Sequence, residues 1–150
     1  MSLPLRLIGF GIATALCHAL AWRPRLPLRL ASHFDGAGNP DGWMGRDSSL
    51  LFYVGMVVFL GVLFGFLGPW IRRFPDSMVN LPDKEYWLAP ERRDQTYRRI
   101  SDSLAWLGVL CSVLIVALHE MTFRANLQTR PHLGSGSWIL LMVFLVAELV

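Results

Sequence analysis

Residues 50–70 read LLFYVGMVVFLGVLFGFLGPW and contain no charged side chain. No other feature restricts the fold as much. A helix of about 20 residues rises about 1.5 Å per residue and covers the roughly 30 Å of a bilayer's hydrocarbon core. Such a helix is apolar on every face, so it lies either in lipid or inside a large core. A 150-residue chain, 53% hydrophobic and only 17% charged, lacks the polar surface to enclose it. The segment is therefore predicted to cross a membrane. Pro69 and Trp70 close it, and Trp suits the interface.

Three more segments follow the same logic. Residues 100–123 hold the uncharged run LAWLGVLCSVLIVAL, with Asp102 near one end and His119-Glu120 near the other. The first span, about 4–22, has a shorter apolar run, residues 7–22, preceded by Arg6, a pattern shared with secretory signal peptides. We read them as a retained span, because further spans follow and the helix carries a stripe of small residues. Residues 137–150 form a fourth apolar segment, short for a span and containing Glu148. The expected fold is an all-α, polytopic transmembrane bundle of three to four spans in a single domain, 1–150.

Orientation follows from Lys and Arg. The 71–99 loop carries Arg72, Arg73, Lys84, Arg92, Arg93, Arg98 and Arg99, and Arg6 shares its side. The opposite loops, 23–49 and 124–136, carry Arg23, Arg25, Arg29, Arg46, Arg124 and Arg130. Arg72-Arg73 and Arg98-Arg99 directly flank spans, where charge weighs most. The N-terminus and the 71–99 loop are expected in the cytoplasm of a bacterial inner-membrane protein. The net charge of +3 is then a topology signal, and nucleic acid is not an expected partner.

Lipid gives no hydrophobic drive for helix association, so small residues mark contact faces. Gly11, Ala15 and Ala19 recur every four residues in the first span. Gly61 and Gly65 form a G-x-x-x-G in the second, and Ala105, Gly108 and Ser112 line the third. These stripes predict packing within one chain in preference to a dimer face.

In the 23–49 loop, residues 25–30 alternate leucine with other residues, as a short extended segment does. The turn formers of residues 35–42 follow, and Trp43-Met44 is expected to return against the first strand, giving a small hairpin. Asn39, Asp41 and Gly42 suggest a calcium loop, but the position that needs an acid is Ala37 and the closing glutamate is missing. A turn held by Asx side chains is expected instead. In the 71–99 loop, Pro90 and Glu91 suit a helix start, and Asp94 and Arg98 stand four apart as an ion pair. A helix is predicted from Pro90 into the third span, with Tyr86 and Trp87 at headgroup depth.

The loop sequence His33, Phe34, Asp35, Gly36, Ala37, Gly38, Asn39, Pro40, Asp41, Gly42, Trp43 resembles the signature of a bacterial membrane domain of unknown function, number 1648. That domain also forms the N-terminal part of SdpI-type immunity proteins. The second loop, with Asn80-Leu81-Pro82, Tyr86, Trp87, Pro90, Glu91, Arg92 and Arg93, is similar to a segment of short stand-alone members. The resemblance implies an inner-membrane protein of about four helices and assigns it no activity, since the family is largely uncharacterised.

No zinc-spaced cysteine pair, P-loop, G-x-S-x-G or H-E-x-x-H motif occurs, so no catalytic residue is assigned. One constellation remains. His18 stands four residues before Trp22 and His119 four before Phe123, which places both at similar depth. Each lies seven residues after a small packing residue, Gly11 or Ser112, so both are expected to face the bundle. With Glu120, and His33 in the adjoining loop, they form the candidate polar or ligand cluster. Hydrogen bonding across helices, a metal or tetrapyrrole at His18 and His119, and a proton-responsive element with Glu120 are the competing readings. The expected function is a non-catalytic accessory or stabilising subunit of a respiratory, photosynthetic or transport complex, with lipid and membrane subunits as partners. The alternatives are an SdpI-like immunity or signalling protein and a small metal- or cofactor-binding membrane protein.

Overall fold

The computed structural model describes residues 2–147. Its element order is α1 (Leu3–Trp22), β1 (Arg29–Phe34), β2 (Pro40–Gly45), α2 (Arg46–Ile71), a 3-10 turn (Asp76–Met78), α3 (Lys84–Trp87), α4 (Arg93–Ala125) and α5 (Gly136–Ala147). α1, α2 and α4 are each long and apolar enough to cross a membrane. They pack on one another as a three-helix bundle, and α5 rests on α4. The 12 residues of α5 rise only about 18 Å, short of a hydrocarbon core. The rest of the predicted fourth span, with Glu148, lies outside the described residues.

The small residues turn inward. Ala15, Ala19, Ala105 and Ser112 are buried. A methyl added to Gly61 would lie 2.9 Å from Ile8 Cγ2, one on Gly65 3.4 Å from Leu5 Cδ2, and one on Gly108 2.8 Å from Phe64 Cβ. A methyl on Gly11 would lie 3.5 Å from Ser112 Cβ. Each of these stripes meets a neighbouring helix of the same chain, as close backbone approach in lipid requires. The tightest crossing pairs Gly68 of α2 with Ser101 of α4, where an added Cβ would sit 2.5 Å from the Ser101 Cα. Cys17 lies exposed on α1 and Cys111 half-buried on α4, with no disulfide between them.

Two helix starts differ from the sequence expectation. α2 begins at Arg46, directly after β2, so the hairpin leads into the span without a linker. α4 begins at Arg93, not Pro90. The chain at Pro90 does turn, and Ala89 O accepts from both Arg92 N and Arg93 N at 2.9 Å. Arg92, however, has φ −111 and ψ −20, off the helical φ of about −63°, so this turn does not merge with α4. The expected Asp94–Arg98 pair is not formed either. Asp94 reaches across to α2 and accepts from Arg72 Nη2 at 2.7 Å.

The hairpin is antiparallel, with Leu30 opposite Met44, Ala31 opposite Trp43 and His33 opposite Gly42. Trp43-Met44 returns as predicted, but the first strand lies at 29–34, not 25–30. Arg25 N and Leu26 N still bond to Trp22 O, continuing the turn that ends α1. The leucines do not share one apolar edge as a strand over 25–30 would require: Leu26 and Leu30 are buried and Leu28 is exposed. Leu26 and Leu30 join Ala15, Ala19, Leu50, Tyr53, Val57 and Phe123 in the main core, so the hairpin caps one end of the bundle.

The turn is built as an Asx turn. Asp35 Oδ1 accepts from Ala37 N at 2.9 Å and Asn39 N at 2.8 Å. These backbone donors, Asn39 foremost, hold the Asp35 carboxyl below its ordinary pKa. Gly38 takes φ +85, and its carbonyl accepts from Leu133 N at 2.9 Å, tying the tip to the segment before α5.

Asn126, just past α4, anchors the hairpin. Its Oδ1 accepts from Ala31 N at 2.7 Å, and its Nδ2 donates to Ala31 O at 2.9 Å. The side-chain amide thus replaces a third strand on the open edge of β1. Asn126 and Ala31 are both buried, so removing the amide leaves two backbone groups without partners. Asn126→Leu is expected to cost roughly 1–3 kcal/mol and to speed hydrogen exchange at Ala31 while leaving the α2 interior protected. An unchanged Ala31 amide would contradict this anchoring role.

Candidate functional site

The candidate site lies beneath the hairpin, where α1, α2 and α4 meet. Helical spacing of four assembles it from three local pairs: His18 with Trp22, His119 with Phe123, and Glu120 with Arg124. Tyr53 of α2 stands between the first two pairs. Its ring stacks on His119 with centroids 4.3 Å apart and meets His18 edge-on at 5.6 Å. Phe123 stacks on His18 at 5.6 Å and meets Tyr53 edge-on at 5.8 Å. These offset and perpendicular geometries are the favoured ones for aromatic rings.

Glu120 closes the polar side. Its Oε2 accepts from His18 Nε2 at 2.9 Å and Trp22 Nε1 at 2.8 Å. Arg124 Nε donates to Oε1. One carboxylate therefore joins α4 to α1 through His18 and Trp22, with Arg124 of its own helix as a third donor. With the proton of His18 on Nε2, its Nδ1 is an acceptor in the neutral ring. That Nδ1 and the Tyr53 hydroxyl are both buried without a hydrogen-bond partner among the described residues. His119 Nδ1 donates to Ile115 O at 2.9 Å, one turn back on its own helix.

A cleft of about 540 Å³ runs from this cluster along the outside of α1 and α4. Phe10, Thr14, Val113 and Val116 line it, and His18 and Glu120 close its end. Its walls are almost entirely apolar.

The structure brings together His18, His119 and Glu120 from the predicted cluster and separates His33. His33 sits exposed on β1, where Nδ1 contacts Asp41 Oδ1. His132 lies at the hairpin tip, its Cε1 3.0 Å from where a Gly38 Cβ would be. Among the described residues, no group of three or more His, Cys, Asp or Glu is placed to hold a metal ion. A metal at His18 Nε2 would first have to displace Glu120.

Sequence reasoning missed Tyr53, Trp22 and Arg124 as members of the cluster. The Glu120–Arg124 spacing was a readable signal. Tyr53 gave a weaker one, as a hydroxyl within the most apolar run.

The loop motif at the other end is structural as well. Arg93 grips the Asp76 carboxylate through Nε and Nη2 at 2.9–3.2 Å, and Tyr97 OH donates to Asp76 Oδ1 at 2.9 Å. Arg93 first, then Tyr97, holds the Asp76 carboxyl below its usual range. Arg92 lies 4.1 Å over the Tyr86 ring, Trp87 meets Tyr86 edge-on at 5.2 Å, and Thr96 Oγ1 donates to Trp87 O at 2.7 Å. Pro90 and Glu91 occupy the exposed turn between α3 and α4.

No curated protein and no solved structure matches the chain. A family model does: Domain of unknown function (DUF1648), over residues 10–67. The match takes in most of α1, the hairpin with its His33–Trp43 motif, and most of α2, and it ends before the Tyr86–Arg93 motif. Over residues 10–67, about two fifths of its length, the chain is therefore similar to the DUF1648 family.

Proposed function

We propose that this chain is a non-catalytic, multi-pass protein of the bacterial inner membrane that serves as an accessory or stabilising subunit of a larger membrane complex. The observation that carries the membrane reading is the inversion of the bundle. Large apolar side chains face outward, with Phe10 and Phe66 each 71% exposed, while alanine, glycine and serine fill the helix contacts. A water-soluble bundle does the opposite, because its large apolar residues must leave the solvent. The DUF1648 match agrees with this reading.

The two ends of the bundle differ in kind, which supports the N-in orientation. Arg72, Arg73, Arg98 and Arg99 cluster where α2 ends and α4 begins, and the hairpin caps the opposite end. The non-catalytic reading is supported by the saturation of Glu120. Its oxygens already accept from His18, Trp22 and Arg124, so the ionisable group nearest the cleft is spent on joining helices.

Extraction of native membranes with a mild detergent, followed by native gels and identification of co-migrating subunits, tests the assignment. Stable co-migration with one membrane complex is the expected result. A monodisperse monomer from native membranes would overturn the accessory role.

A further inference from the structure

We infer that the basic end of the bundle carries a binding site for a phosphate-bearing anion, of the kind presented by an anionic phospholipid headgroup. The inference rests on the membrane reading above and adds a ligand to it. A cleft of about 610 Å³ opens between the end of α2 and α4. Arg72, Arg73, Arg98, Ser101, Asp102 and Pro69 line it. The Gly68–Ser101 contact forms the crossing beside it, and the two helices present their arginines around the same space.

Three guanidinium groups thus face one lining carboxylate. Arg72 is partly compensated by Asp94 at 2.7 Å, an exposed pair that solvent screens. The guanidinium groups of Arg73 and Arg98 make no hydrogen bond or ion pair among the described residues. Charges that only set topology repel one another and need not converge. Here they converge from two helices with two guanidiniums unspent, and the planar guanidinium fork matches phosphate oxygens.

A second crevice, of about 270 Å³, adjoins the first and shares Pro69 and Arg73 with it. Phe66 and Trp70 complete its lining. An anion pocket that continues into an aromatic, lipid-facing crevice suits an amphiphile better than a free ion. Trp70 also belongs at the headgroup level, where a lipid phosphate resides.

The test uses the full chain in detergent, with thermal stability followed against short-chain phosphatidylglycerol, short-chain phosphatidylcholine and inorganic phosphate. The double variant Arg73→Gln, Arg98→Gln is compared with wild type and with Arg99→Gln, which removes the same kind of charge outside the cleft lining. Phosphatidylglycerol is expected to stabilise wild type and Arg99→Gln saturably. Its apparent affinity should fall about tenfold or more in the double variant. Stabilisation by phosphatidylglycerol but not by inorganic phosphate assigns the lipid. Equal stabilisation by both assigns a free phosphate to the same groups. The single variants Arg73→Gln and Arg98→Gln carry the same comparison if the double variant does not fold. Equal responses in wild type and the cleft variants would overturn the site. Alkaline extraction separates this from failure of the membrane reading, since a peripheral protein would be released and an integral one retained.

Discussion

Gly68→Ala is expected to destabilise the bundle by roughly 1–3 kcal/mol, although it adds a single methyl to an apolar helix. The new Cβ would stand 2.5 Å from the Cα and 2.6 Å from the Cβ of Ser101. The first of these atoms is backbone, so no rotamer change relieves the overlap and α2 must move away from α4. That movement also disturbs the arginines around the neighbouring cleft. Gly55→Ala is the internal control, because nothing lies within 4 Å of its added Cβ. There the gain in helix propensity, up to about 1 kcal/mol, should remain. Denaturant titration of both variants in the same detergent checks the contrast. Equal stability would show that the Gly68–Ser101 contact does not hold the two helices.

Glu120→Leu is expected to be of similar size at the opposite end. The change strands the part-buried His18 Nε2 and Trp22 Nε1 together and leaves the exposed Arg124 guanidinium to solvent. Interhelical hydrogen bonds in membranes are individually modest, but an abandoned polar partner costs more than the bond itself was worth. A loss of roughly 1–3 kcal/mol follows. Glu120→Gln should lose less, since its carbonyl oxygen still accepts from one of the donors. The ordering wild type, then Gln, then Leu in denaturant midpoint is the expected result. A leucine variant as stable as wild type would remove Glu120 from the role of α1–α4 clasp and weaken the argument that the cluster is structural. The same variants test the proposed accessory role: a bundle loosened at its hairpin end should co-migrate less with any partner complex in native gels.

Much of this architecture was readable along the chain because its signals are local. An uncharged run of membrane length, small residues every four positions and a cluster of turn formers each act within one helix or one loop. They suffice for three membrane-length helices, the inward faces of Gly11, Ala15, Gly108 and Ser112, and a hairpin between the first two helices. The resemblance of the His33–Trp43 loop likewise pointed to the family matched over residues 10–67. His18 and His119 pair by depth, and helix periodicity turns both toward the bundle, where the structure sets them against Tyr53.

The tertiary structure decided what depends on contact between distant segments. Whether Asp94 bonds to Arg98 or to Arg72 turns on how α2 lies against α4, and it bonds to Arg72. The first strand lies at 29–34 and not 25–30 because the end of α1 takes up the Arg25 and Leu26 amides, while the Asn126 amide holds Ala31 in extended form. His33 left the histidine group because the hairpin pairs it with Asp41, and Tyr53 entered the cluster because α2 delivers it between two histidines. Glu120 could be recognised in the sequence as an acid near a membrane interface. That it joins α1 to α4 through His18 and Trp22 follows only from three-dimensional proximity across about 100 residues of chain.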